Sequence, residues 1–300
     1  LVLIFIAAAI LLLKFLGSLP AVPDDYAKKA ETGGPIEAEY MADGSYEVSV
    51  YEEAALQGFS KYTICYPTEL ETTKEKYPVI VVCNGSGTPI SKYLSIPKHF
   101  ASWGFIVIGT EEEYDWSGFS AEMCVRHLQK LNENAKIEDS ENIFYQKVDF
   151  DNIGIIGHSQ GGVGVLNAIT GQKHAEIYKA AASLSPTNKE LAQNLEWDYD
   201  AALVDIPVLL IAGAGGGDDW VVTGEQLQDI YSDIDRNKAM LRRKETAHGE
   251  TLYAASGYTT AWFMWQLRGD EEAAKAFIGS APEIFVNSLY QDQQAELTGE

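Results

Sequence analysis

Gly157-His158-Ser159-Gln160-Gly161 follows the apolar, β-branched run Ile153-Gly154-Ile155-Ile156 and leads into Gly162-Val163-Gly164-Val165-Leu166-Asn167-Ala168-Ile169. A buried strand that turns at once into a helix constrains this chain more than any other stretch. G-x-S-x-G at such a corner reads as a nucleophile elbow. Its glycines let strand and helix approach closely, while the serine takes a strained conformation that lifts its hydroxyl above the sheet. The helix N-terminus then aims backbone N–H groups at negative charge forming beside Ser159.

A serine hydroxyl is a weak nucleophile and needs a base and an orienting acid, here in the chain order Ser, Asp or Glu, His. Among five histidines, His99 and His127 precede the serine, His158 lies in the elbow directed away from it, and His174 ends the elbow helix. His248, in Thr246-Ala247-His248-Gly249-Glu250, follows the strand-like run Ala239-Met240-Leu241-Arg242-Arg243-Lys244 and is the expected base. The acid is expected in Gly213-Ala214-Gly215-Gly216-Gly217-Asp218-Asp219-Trp220, the loop fed by the strand Pro207-Val208-Leu209-Leu210-Ile211-Ala212. Asp218 is preferred and Asp219 is the alternative; the other aspartate would be solvated or cap the helix that follows. The oxyanion hole needs two backbone donors. Gln160 supplies one, and Ser86, in the loop Asn84-Gly85-Ser86-Gly87-Thr88 after the strand Pro78-Val79-Ile80-Val81-Val82-Cys83, is expected to supply the other.

Strand signals recur near residues 45–51, 60–66, 78–83, 104–109, 153–157, 179–184, 207–212 and 239–245. Helical patterns fall near 92–103, 118–134, 160–171, 224–236, 250–267 and 271–278. Such alternation predicts an α/β fold, a mostly parallel central sheet with helices on both faces and the site at the strand C-termini. The first two strands lack a helix between them and are expected to pair antiparallel.

The order of Val79 to Gly87, of Ala101-Ser102-Trp103-Gly104-Phe105-Ile106-Val107-Ile108, of Lys147-Val148-Asp149 and of the elbow resembles the cutinase-like α/β-hydrolases, a group with bacterial polyester hydrolases and platelet-activating-factor acetylhydrolase relatives. The resemblance spans roughly residues 45–280, to Ala261-Trp262-Phe263-Met264 and beyond. It implies the α/β-hydrolase fold, a triad of Ser159, Asp218 and His248, and an oxyanion hole at Ser86 and Gln160. Two departures stand out: Ser86 replaces an aromatic and Thr187, in Ser185-Pro186-Thr187, replaces a tryptophan that polyester hydrolases usually carry. An aromatic clamp on a polymer segment would then have to come from elsewhere, with Trp220 and Trp116 as candidates. Thr88, Thr187 and Trp220 are the expected substrate-binding residues.

Residues 1–19 open with thirteen uninterrupted apolar residues, Leu1 to Leu13, and read as a signal or anchor segment, shortened at its start because no initiator methionine is present. Residues 20–40, rich in Pro, Gly, Lys and Glu, read as a tether, and 41–300 as one catalytic domain. An extracytoplasmic protein, membrane-anchored or secreted, is expected. A net charge of −22 argues against a nucleic-acid partner. Cys65, Cys83 and Cys124 are expected as buried free thiols, and no cluster has metal-ligand spacing, so neither metal nor cofactor is implied.

These residues together predict a serine carboxylic-ester hydrolase acting on small to medium neutral esters. A lipase or cutinase-like polyester hydrolase is the alternative, and a membrane-tethered binding protein that has lost its chemistry is the alternative of another class. Glu111, Glu112, Glu113 and Asp115 are expected on the same rim as Ser159, where with Asp218 and Asp219 they would disfavour anionic substrates.

Overall fold

The computed structural model describes residues 20–54, 61–137, 139–235 and 237–297. Nine strands form one sheet: β1 (Val48–Ala54), β2 (Lys61–Pro67), β3 (Tyr77–Cys83), β4 (Ile106–Thr110), β5 (Val148–His158), β6 (Tyr178–Leu184), β7 (Val208–Ala214), β8 (Lys238–Lys244) and β9 (Tyr290–Glu296). Their spatial order is β1-β2-β4-β3-β5-β6-β7-β8-β9. From β4 to β8 the pairing is parallel, while β1, β2 and β9 run antiparallel to their neighbours. This is the mostly parallel sheet expected from the alternation, including the antiparallel pair at its start, and it matches the α/β-hydrolase fold that the resemblance implies.

Strand side chains alternate between two apolar layers. Val79, Val81 and Cys83 of β3 face helices α4 (Phe119–Glu133), α5 (Gln160–Gly171) and α6 (Gly224–Asp233). Ile80 and Val82 face α3 (Ser95–Ser102) and α8 (Ser256–Arg268), where Phe100, Trp262 and Phe263 are fully buried. Burying each such ring contributes about 1.5–3 kcal/mol. Because both faces are covered, the central strands read as continuous apolar runs.

The structure departs from the sequence reading in three places. Residues 20–40 are not a tether: they form α1 (Tyr26–Lys29) and most of α2 (Pro35–Met41), with Val22, Tyr26 and Tyr40 buried. The prolines and charges that suggest a linker are spaced between these anchors, and Glu37 is itself buried, paired with Arg243. The expected helix at 250–267 is two helices, α7 (His248–Ala254) and α8, separated at Ala255. Strand β9 escapes a hydrophobicity reading because Tyr290-Gln291-Asp292-Gln293-Gln294-Ala295-Glu296 is polar, and backbone pairing with β8 holds it at the sheet edge. Cys65, Cys83 and Cys124 are buried free thiols. The apolar segment 1–19 lies outside the described residues, and among those described no helix is long and apolar enough to cross a membrane.

Candidate active site

Ser159 stands between the end of β5 and the start of α5 with φ 61° and ψ −122°. Its own N–H donates to the Leu184 carbonyl (2.8 Å), and its carbonyl accepts from Gly162 N–H (2.9 Å). The turn is possible because Gly157 and Gly161 press together: a side chain on Gly157 would collide with the Gly161 carbonyl, and one on Gly161 with the Cys83 carbonyl of β3. Local sequence, strand–helix packing and the strained backbone of Ser159 are one feature.

His248 opens α7 just past β8. Glu250 folds back to accept from Ala247 N–H (3.0 Å), which fixes the turn that presents the imidazole. His248 Nδ1–H donates to Asp218 Oδ1 at 2.6 Å. The carboxylate can only accept, so the proton sits on Nδ1 and the Nε2 lone pair is left for a proton from Ser159. Among the described residues neither Ser159 Oγ nor His248 Nε2 is committed to a hydrogen bond; their mutual contact is open here, and such contacts tighten when substrate arrives.

Of the two candidate acids the structure brings Asp218 to His248 and not Asp219. Asp218 is fully buried, and its Oδ2 accepts from Ser185 Oγ (2.9 Å) and from Gly213 N–H. Asp219 points outward and pairs with Arg242 Nη2 at 2.8 Å. A carboxylate held by three donors keeps its orientation, which suits it to stabilise an imidazolium.

Gln160 is the first residue of α5, so its N–H has no partner within the helix. Its side chain is buried, with Oε1 accepting from Asp115 N–H (3.0 Å). The loop of Ser86 is pinned on both sides, by Gly87 N–H to Glu113 O (2.8 Å) and Thr88 N–H to Gly85 O (3.1 Å). A side chain on Gly85 would stand 3.7 Å from Ser159 Cβ, so this loop borders the nucleophile. Among the described residues the Ser86 N–H has no partner.

The expected substrate residues separate. Thr88 lines a recess of about 20 Å³ with Gly85, His158 and Leu252, beside the elbow. Thr187 is 3% exposed, its carbonyl accepting from Tyr199 OH, and is not presented to a ligand. Trp220, two residues past Asp218, is 85% exposed. Trp116 is half-buried, and its carbonyl accepts from Asn167. The acidic run does not lie on the rim as one group. Asp115 is buried beneath Gln160, with Oδ1 accepting from Ser120 N–H (3.0 Å), and burial raises its carboxyl to about 7. Glu111 is engaged by Ser91, while Glu113 is exposed.

Two residues join the site that sequence reasoning did not place there. Ser185, at the end of β6 with φ 39°, holds Asp218. His158 reaches across to the backbone of His248. Neither carries a local pattern that announces a role; each is recognised only when separate strands are brought side by side.

A family model described as PET hydrolase-like matches residues 27–294. A bis(hydroxyethyl) terephthalate hydrolase of Streptomyces coelicolor is 23% identical over 252 residues, 81% of this chain and 74% of that protein.

Proposed function

Since its residues 27–294 place this chain in the PET hydrolase-like family of carboxylic-ester hydrolases, we propose that it cleaves small neutral esters through an acyl-enzyme on Ser159. The observation that carries this is the buried Asp218 carboxylate 2.6 Å from His248 Nδ1, on loops that converge with the elbow at the C-terminal ends of the parallel strands. Ser159 Oγ attacks the ester carbonyl as His248 Nε2 takes its proton. The oxyanion that forms is met by the N–H groups of Gln160 and Ser86, and Asp218 stabilises the imidazolium. His248 returns the proton to the departing alcohol. Water, activated by the same imidazole, then releases the acid and restores the serine.

Bis(hydroxyethyl) terephthalate is an uncharged aromatic diester, and a relative is named for hydrolysing it. A molecule of that size needs no extended clamp, which accords with Ser86 and a buried Thr187 in place of aromatics. Polyester itself is the second reading, favoured by Trp220 standing exposed beside the acid loop. The family gives no support to a binding protein without chemistry. Turnover of p-nitrophenyl acetate, p-nitrophenyl butyrate and bis(hydroxyethyl) terephthalate, beside release from polyester film, separates these readings. Film cleavage matching that of the small diester would favour the polymer. An extracytoplasmic location is proposed on the apolar run at 1–13 alone, and fractionation of cells producing the full chain tests it.

A further inference from the structure

Ile156 and His158 lie on the face of β5 that carries α7 and α8, so the His158 ring is directed away from the sheet face of α5. His158 Nε2–H donates to the backbone carbonyl of His248 at 2.8 Å. A carbonyl only accepts, so the Nε2–H tautomer is fixed. The two imidazoles also pack, with ring centroids 4.5 Å apart and planes tilted by 38°. We propose that His158 is a positioning residue that anchors the backbone of His248 and holds its imidazole in line with Ser159, a role that rests on the reading of Ser159 and His248 as nucleophile and base.

One hydrogen bond to Asp218 fixes a point on the His248 ring but not its tilt. The bond from His158 fixes the residue at its carbonyl, and the ring contact blocks the imidazole from leaning toward the α7 and α8 layer. Nucleophile and base thereby become mechanically linked, because His158 and Ser159 are consecutive residues of the same strand end. Burial, with the neighbouring His248 imidazole, pushes the His158 pKa down to about 3, so the anchor remains neutral when His248 gains its proton. A cation at that place would oppose the imidazolium formed in each half-reaction.

The test compares His158→Phe, which keeps a ring and loses the donor, with His158→Gln, which keeps a donor. Active sites are first titrated with a fluorophosphonate, so rates refer to folded, reactive molecules only. Stoichiometric labelling of the wild type at Ser159 establishes the nucleophile independently; its absence would overturn the underlying reading rather than the anchor. For the anchor, His158→Phe should lower kcat for p-nitrophenyl butyrate about 10- to 100-fold with KM within about twofold, as misalignment of a base does. His158→Gln should recover most of that loss. Wild-type kcat in His158→Phe, a change confined to KM, or equal losses in both variants would overturn the proposal.

Discussion

Glu37 and Arg243, 206 positions apart, meet as a buried ion pair at 2.8 Å. Tyr290 and Asn287 donate to the same carboxylate, each at 2.7 Å. The pair ties α2 to the end of β8, five residues before His248. It makes the N-terminal segment part of the frame that carries the base.

Glu37→Ala would leave the Arg243 guanidinium buried without its counter-charge. A loss of about 3–5 kcal/mol of unfolding free energy is expected, read from urea denaturation. A loss below about 1 kcal/mol would show that this network is not a structural tie.

Ser159→Ala should reduce turnover of p-nitrophenyl acetate by on the order of 10⁴-fold or more, with fluorophosphonate labelling abolished and the thermal midpoint preserved. Near wild-type turnover in this variant would remove the acyl-enzyme mechanism.

The two adjacent aspartates should behave very differently. Asp218→Asn presents an amide to His248 and disfavours the required tautomer, so kcat should fall by on the order of 10⁴-fold. The Asp219 carboxylate is exposed and pairs with Arg242, away from the Asp218–His248 hydrogen bond; Asp219→Asn should keep kcat within about threefold. Comparable kinetic losses in the two variants would contradict the assignment of the acid.

Asp115 supplies a pH signature. Its folded carboxyl titrates at about 7, against about 4 in an unfolded chain. Between those values the folded form keeps a proton that the unfolded form has lost. This group therefore makes stability decline as pH rises from about 4 to 7. Thermal melts across that range should show a shallower decline for Asp115→Asn than for wild type, and identical slopes would refute the burial argument.

The elbow and the strand–helix alternation are local patterns, so the central sheet and the surroundings of Ser159 are legible in the sequence. What decides between Asp218 and Asp219 is not local. Arg242 sits opposite Ala212 in the β7–β8 register, which places its guanidinium where it draws Asp219 outward. Ser185 closes the pocket around Asp218 from a third strand. No spacing rule within a single segment contains those facts. The segment 20–40 misleads for the opposite reason: its composition is that of a linker, while its fold depends on three buried side chains, Val22, Tyr26 and Tyr40, and one buried carboxylate finding partners far along the chain.

The backbone of Ser159, at φ 61° and ψ −122°, lies outside the basins where residues with a side chain rest at no cost. Strain of this kind is worth about 1–3 kcal/mol, and every folded molecule carries it whether or not an ester is present. Glycine at this position would release it. A population selected for thermal endurance alone would therefore tend to lose this hydroxyl early, and the serine persists only while turnover is itself under selection.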